Sequence, residues 1–326
     1  MKLAAIGSGA WGRNIVRTLH RLDALAVVAE ASANLREELA TAYPELEIVP
    51  DFRELLSRPD IVAVTIATPA VTHHSIAKAC LLAGKDVFVE KPMTMASGEA
   101  QDLIETAEAC GRILMVGHLL LYKPAVEFIR GYLADRSLGR VFTMHQERMK
   151  LGKARAVENA LWSLGVHDVA ALLYIAGDVP TSVSFSGHRG LQKDIEDDTF
   201  LHMTFANGCT AHLHNSWLWP EDQRGLKVIG ELGMLHYDEK SETVTLLKKR
   251  IDEALNNVDE GSEVIFTAPP GLQALTAELQ HFMDCVRTRS TPRSCGRNGL
   301  DVIKVLEAAR ANLPGAGFEV AVSPSV

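Results

Sequence analysis

The chain has 326 residues, 47% of them apolar and 23% charged, enough for a packed core and, at roughly 150 residues per domain, for two domains. Its 33 Lys and Arg against 41 Asp and Glu give a formal net charge of −8, which argues against a general binder of nucleic acid or anionic membrane. Five cysteines without a C-x-x-C pair make neither a disulfide framework nor a zinc ribbon. No apolar run nears the roughly 20 residues of a membrane helix, and Met1–Gly7 is too short before its glycines for a signal peptide. The expectation is a soluble, cytoplasmic α/β protein.

In chain order, Leu3–Ile6 reads as a buried parallel strand ending at Gly7. Ile15, Val16, Leu19 and Leu22 share a helical face, and Leu25–Ala29 is a second strand. A weaker strand lies at Ile48-Val49, with Asp51 as N-cap of a short helix Phe52–Leu56. Ile61–Ala67 is an uninterrupted β-branched strand, followed by a helix Thr72–Ala83 closed by Gly84. Val87–Val89 is a strand, Ser97–Cys110 a helix stopped by Gly111, and Ile113–Val116 another strand. This alternation predicts a Rossmann-like, doubly wound parallel sheet with helices on both faces.

The rhythm changes after Tyr122-Lys123-Pro124. Strands are predicted at Val141–Arg148, Thr181–Ser186, Thr199–Phe205, Thr210–Leu218, Leu226–Ile229, Met234–Tyr237 and Thr243–Leu247. They form a large, mostly antiparallel open sheet. Helices Ser163–Ala176 and Ala274–Arg287 are assigned to it, and a last helix spans Gly299–Arg310. The expected division is 1–118 for nucleotide binding and 119–326 for substrate binding and oligomerisation.

Gly7-Ser8-Gly9-Ala10-Trp11-Gly12 is a G-x-G-x-x-G between the first strand and first helix. Gly7 permits the turn, Gly9 admits a pyrophosphate close to the backbone, and Gly12 lets helix and strand pack closely. The helix N-terminus faces the phosphates. Glu30 ends the second strand, 18 residues beyond Gly12. It is placed to accept from ribose hydroxyls and to repel a 2′-phosphate, so NAD is expected rather than NADP. Thr68 and Pro69 follow the strongest strand, where loops line the ligand crevice; His73 either touches the cofactor or caps the next helix.

With Glu90-Lys91-Pro92 in place, the chain resembles the Gfo/Idh/MocA oxidoreductases. The resemblance rests on GSGAWG, Ile66–Pro69, Ala83–Pro92 and Gly165–Gly177, in order and spanning nearly the whole chain. It implies a Rossmann domain followed by an α/β domain, with Glu90 and Lys91 at the cofactor, Lys91 and His167 catalytic, and a cis Lys91-Pro92 bond. The chemistry is coherent: oxidising a secondary alcohol needs a base near neutral pKa, which His167 supplies, and a cation that stabilises the alkoxide, which Lys91 supplies. The reverse allocation stays open. Two positions depart from the family: Ser163 stands where many members carry Asp four residues before the helix histidine, and Leu121 where many carry Arg. Both tell against polyols such as inositol. Asp168, about 100° round the helix from His167, points away.

Arg148–Lys153, Glu158–Ser163 and His167-Asp168, together with Gly117–Tyr122 and Asn215–Leu218, resemble a subgroup. Its members oxidise the 3-hydroxyl of UDP-N-acetylglucosamine or of its uronate, ahead of transamination to a 2,3-diamino sugar of lipid A or O-antigen. The resemblance implies substrate contacts from His118, Tyr122 and Ser163. Arg148, Lys150, Lys153 and Arg155 form a basic cluster suited to a pyrophosphate. Glu158 and Asn159 bind sugar groups or cap a helix, and Trp162 stacks on a ring or packs. The neutral sugar is favoured over the uronate. A nucleotide-deoxysugar ketoreductase and a non-enzymatic NAD sensor are the competing readings. His202, His212 and His214 share a polar strand face with Thr204, Thr210 and Ser216, and no metal is expected there. A sheet face needing cover implies a homodimer or homotetramer, and an aminotransferase is the expected downstream partner.

Overall fold

Six short apolar segments build the first sheet of the computed structural model, which describes residues 1–152 and 154–311. They are β1 (Leu3–Ile6), β2 (Leu25–Ala29), β3 (Glu47–Val49), β4 (Ala63–Ile66), β5 (Asp86–Glu90) and β6 (Leu114–Gly117). All pair in parallel, in the order β3-β2-β1-β4-β5-β6. β1, β4, β5 and β6 are buried at every position, as strands covered on both faces must be. Helix α1 (Gly12–Arg21) lays Ile15, Val16 and Leu19 on one face with Leu3, Ala5 and Phe88. Helices α3 (His73–Leu82) and α4 (Ser97–Cys110) cover the other with Ile76, Cys80 and Leu103 against Val64, Val87 and Val89. Between β2 and β3 runs α2 (Ala33–Ala42), capped by Ser32 and absent from the sequence reading. The order reverses between β1 and β4, which is where a doubly wound sheet opens its ligand crevice.

Helix α5 (Pro124–Ala134), also unread from sequence, leads to the second sheet. Its strands are β7 (Val141–Met149), β8 (Pro180–His188), β9 (Asp198–Phe205), β10 (Thr210–Ser216), β11 (Gln223–Gly230), β12 (Gly233–Asp238), β13 (Thr243–Ile251) and β14 (Asn257–Thr267). The order is β14-β13-β12-β11-β7-β10-β9-β8, antiparallel throughout except for β7 beside β10. Helix α6 (Val166–Ala176) lies between β7 and β8 in sequence and packs against β7 and β10. β14 escaped the sequence reading because it is a polar edge strand, largely exposed, with no apolar alternation to betray it.

The last helix, α8 (Gly296–Ala311), lies where the sequence reading put it, whereas α7 (Ala274–Thr288) corrects that reading. Assigned there to the second sheet, α7 instead returns to the first: Phe282 meets Phe88 with ring centroids 5.8 Å apart. Arg289 at its end pairs with Asp86 of β5 at 2.7 Å, and Ser294 accepts from the Val116 amide of β6 at 2.8 Å. One continuous apolar core therefore runs from under the first sheet through α5 and α6 to the second. Among the described residues no helix is long and apolar enough to cross a membrane.

Candidate active site

β1 ends at Gly7, whose φ of +90° suits glycine; a Cβ there would lie 2.9 Å from the Ala67 carbonyl oxygen. At Gly12 a Cβ would lie 2.3 Å from the Gly7 oxygen, so the helix can pack on the turn only as glycine. Gly9 has nothing within 4 Å of a Cβ position, which leaves backbone open beside the α1 N-terminus. Glu30 is buried beside this loop. Its Oε2 accepts from the Ser8 amide at 2.7 Å and the Ser8 hydroxyl at 2.8 Å, and its Oε1 from the Ser32 amide at 2.9 Å. These donors outweigh burial and hold its pKa below the ordinary value. The residues present thus fit an anionic dinucleotide: an open glycine turn, a helix N-terminus and an ionised carboxylate on the neighbouring strand.

Thr68 and Pro69 follow β4 directly beside the glycine turn, with Thr68 Cγ2 3.0 Å from where a Gly7 Cβ would lie. His73 corrects the sequence reading. It is buried, and its ring bridges the Pro92 and Thr68 carbonyls at 2.8 and 2.9 Å. It ties two loops together, with no nitrogen left for a cofactor and no capping role.

β5 delivers Glu90 and Lys91, and the Lys91-Pro92 bond is cis. Glu90 is buried and receives the Trp11 indole N–H at 2.6 Å, so this acid links the strand end to the glycine loop. Lys91 Nζ donates to the Ser163 carbonyl at 3.2 Å, tying the end of β5 to the turn that precedes α6. Burial pushes its pKa down. β6 delivers His118, which is sealed from solvent with both ring nitrogens unpartnered. Burial and the Lys91 charge take it down to about 3, so it is neutral.

From the second sheet, a π-helical turn over Leu161–Gly165 precedes α6 and sets the position of His167; such turns recur at functional sites. His167 Nδ1 is buried without a partner. Desolvation first, then the charges of Lys91 and Arg148, holds its pKa well below the ordinary value. Lys91, His118 and His167 therefore share one electrostatic neighbourhood. It contains a cation and two neutral imidazoles.

Other predicted contacts fall elsewhere. Arg148 is buried, and its guanidinium is consumed by Asp168 (2.9 and 3.0 Å) and Glu239 (3.2 and 2.7 Å), so it is not a free phosphate ligand. Tyr122 is buried too: its hydroxyl pairs with Ser294 at 2.9 Å and its ring packs near His281, so it does not face the site. Asn159 caps the π-turn, accepting from the Trp162 amide at 3.0 Å and donating to Glu196 at 2.9 Å. Trp162 packs into the core. Half-buried Glu158 and exposed Arg155 both act electrostatically on Lys91. Lys150 is half-buried beside them in sequence, and Lys153 lies outside the described residues. Ser163 contributes its carbonyl to Lys91.

Three acids have roles that the sequence reading did not assign. Asp168 pairs with Arg148 and also receives Gln146 (3.2 Å) and Asn215 (3.1 Å), fixing the first turn of α6. Glu239 carries no sequence signal beyond its charge. Glu278, from α7, is fully buried with neither carboxyl oxygen partnered. On the outer face of the second sheet, His145 stacks on His212 with centroids 4.7 Å apart, and His202 Nδ1 lies 3.2 Å from His212 Nδ1. Among the described residues no group of three or more His, Cys, Asp or Glu is arranged to hold a metal ion.

A dinucleotide cradle abutting a lysine and two neutral imidazoles defines an oxidoreductase of two-sheet build. Residues 1–118 match the oxidoreductase family GFO_IDH_MocA, NAD-binding Rossmann fold, and residues 126–236 match the GFO/IDH/MocA C-terminal domain. The chain belongs to the Gfo/Idh/MocA family, and its cofactor is NAD. It is 27% identical over 312 residues to the UDP-N-acetylglucosamine 3-dehydrogenase of Acidithiobacillus ferrooxidans, covering 95% of each chain. A solved structure of that enzyme superposes with a TM-score of 0.84 over 96% of this chain and 97% of the other. An oxidoreductase structure from Magnetospirillum magnetotacticum MS-1 is 32% identical, TM-score 0.82, over 95% and 99%. An inositol 2-dehydrogenase of Saccharopolyspora erythraea is 28% identical over 72% of each chain.

Proposed function

We propose that this protein oxidises the 3-hydroxyl of UDP-N-acetylglucosamine to the 3-keto sugar. The observation that carries the reading is that Lys91, just after β5 and next to the Glu90 that holds Trp11 of the glycine loop, lies close enough to His167 in the first turn of α6 for its charge to act on the imidazole. His167, held neutral by burial, accepts the hydroxyl proton; the Lys91 ammonium, anchored by the Ser163 carbonyl, stabilises negative charge growing on the sugar oxygen. NAD bound in the crevice supplies the acceptor for the departing hydride. Glu30 favours NAD over a 2′-phosphorylated cofactor.

The Acidithiobacillus relative, alike along 95% of both chains, supports the nucleotide-sugar substrate. With Arg148 committed internally, Arg155 and Lys150 are the described cations left for a pyrophosphate. The uronate is the alternative, and it calls for a further cation near the sugar ring. The product would feed an aminotransferase making a 2,3-diamino sugar, in the cytoplasm, from a homodimer or homotetramer. The test is to supply NAD and each UDP-hexosamine or its uronate, coupled to a 3-aminotransferase. NADH and an amino sugar are expected with UDP-N-acetylglucosamine; no NADH with any of these sugars refutes the proposal.

A further inference from the structure

Of the seven buried side-chain polar atoms without a partner among the described residues, two are the carboxyl oxygens of one residue, Glu278. It is fully buried on α7, and its surroundings follow from register. Phe88 and Glu90 are two apart on β5 and so share a sheet face. Glu278 and Phe282 are four apart on α7 and so share a helix face. Since Phe282 lies against Phe88 at 5.8 Å, the helical turn before it brings Glu278 to Glu90, at the end of the strand. The electrostatics agree, since each of the charges felt at Glu278 and Tyr122 includes the neighbouring acid.

Two carboxyls buried together cannot both ionise. Their surroundings are unequal. Glu90 receives the Trp11 indole at 2.6 Å and the Lys91 amide at 3.2 Å, and has the Lys91 ammonium next to it. Glu278 receives nothing. The other titratable group acting with it is Tyr122, itself buried and neutral, whose ring packs near His281 (centroids 5.4 Å apart) and under the Arg293 guanidinium (5.0 Å).

We propose that Glu278 is a positioning residue of the redox site, holding the one proton that the Glu90–Glu278 pair retains so that Glu90 is its ionised member. Glu90 then serves as anchor for Trp11 of the glycine loop and as counter-charge for Lys91. Burial raises both acids, Glu90 to about 7 and Glu278 well above its ordinary value, while only Glu90 has donors that favour its ionised form. The role rests on the oxidoreductase reading of Lys91, but the protonation pattern does not require turnover.

The test is infrared difference spectroscopy of the whole protein at pH 7, without substrate. A protonated-carboxyl C=O band is expected to vanish in Glu278→Gln and to survive in Glu90→Gln. The converse pattern, a band lost in Glu90→Gln and kept in Glu278→Gln, overturns the proposal, as does a band unaffected by either change. If Glu278→Gln fails to fold, Glu278→Asp replaces it: the band must shift in Glu278→Asp and persist unshifted in Glu90→Gln, and a band unmoved by Glu278→Asp overturns the proposal. A matching band in a protein that oxidises no sugar leaves this inference standing and removes only the substrate assignment.

Discussion

Replacing Arg148 with Met tests whether the charge network behind His167 is an anchor. The guanidinium side chain is 9% exposed, against 0% for Asp168 and 8% for Glu239. Removing it strands a buried acid, and breaking such a pair costs about 3–5 kcal/mol, against about 0–1 kcal/mol for a surface pair. The stranded acid is Asp168, because Glu239 keeps Lys123 at 3.6 Å and Arg224 at 3.9 Å. Even beside Arg148, desolvation lifts Asp168 from 3.8 to about 6; without the cation it rises further. A folded-state pKa above the unfolded value means that the ionised acid opposes folding at high pH. That penalty is relieved as pH falls through the folded value towards 3.8. The deficit of Arg148→Met is therefore expected to be largest near pH 8 and to shrink towards pH 5. Urea unfolding followed by circular dichroism at pH 5, 7 and 8 measures it. A loss below about 1 kcal/mol at pH 7, or a deficit that grows on acidification, refutes the reasoning.

The glycine loop separates folding from binding. Gly9→Ala is expected to fold normally but to weaken NAD binding, whereas Gly12→Ala, with its Cβ 2.3 Å from the Gly7 oxygen, should lower the melting temperature; melts and NAD titrations distinguish them. Lys91→Met and His167→Gln should each lower kcat by about 10²–10⁴ with unchanged circular dichroism, read as NADH absorbance. Because His167 is held well below 6.5 and acts as the neutral base, the acid limb of kcat/KM should lie below the ordinary histidine range; a limb at or above it contradicts the assignment. Glu30→Ala should narrow the preference for NAD over NADP at least about tenfold, the loss of roughly one charge-assisted discrimination, measured as the ratio of kcat/KM values.

The parallel sheet was legible because buried strands are written as unbroken apolar runs, and because glycine at Gly7 and Gly12 is a steric demand that leaves no other spelling. The site was legible where one residue type carries one chemistry, as at Lys91 and His167. It was not legible where a charge has two possible uses. Arg148 looked like a phosphate ligand because its partner Glu239 is 91 residues away and nothing local marks the pair. Tyr122 and His73 likewise owe their internal roles to Ser294 and to two backbone carbonyls. The polar strand β14 and the placement of α7 depend on contacts far apart in sequence, where periodicity is silent.

The return of α7 and α8 makes the chain a closed circuit. The nucleotide-binding sheet, although written almost entirely in the first 117 residues, is finished only by Phe282, Arg289 and Ser294. During synthesis, the part of Phe88 that meets Phe282 stays open until these residues emerge, so the first half waits for the last to complete its packing. Severing the molecule near residue 118 would yield an unlidded fragment prone to sticking, rather than an autonomous cofactor module.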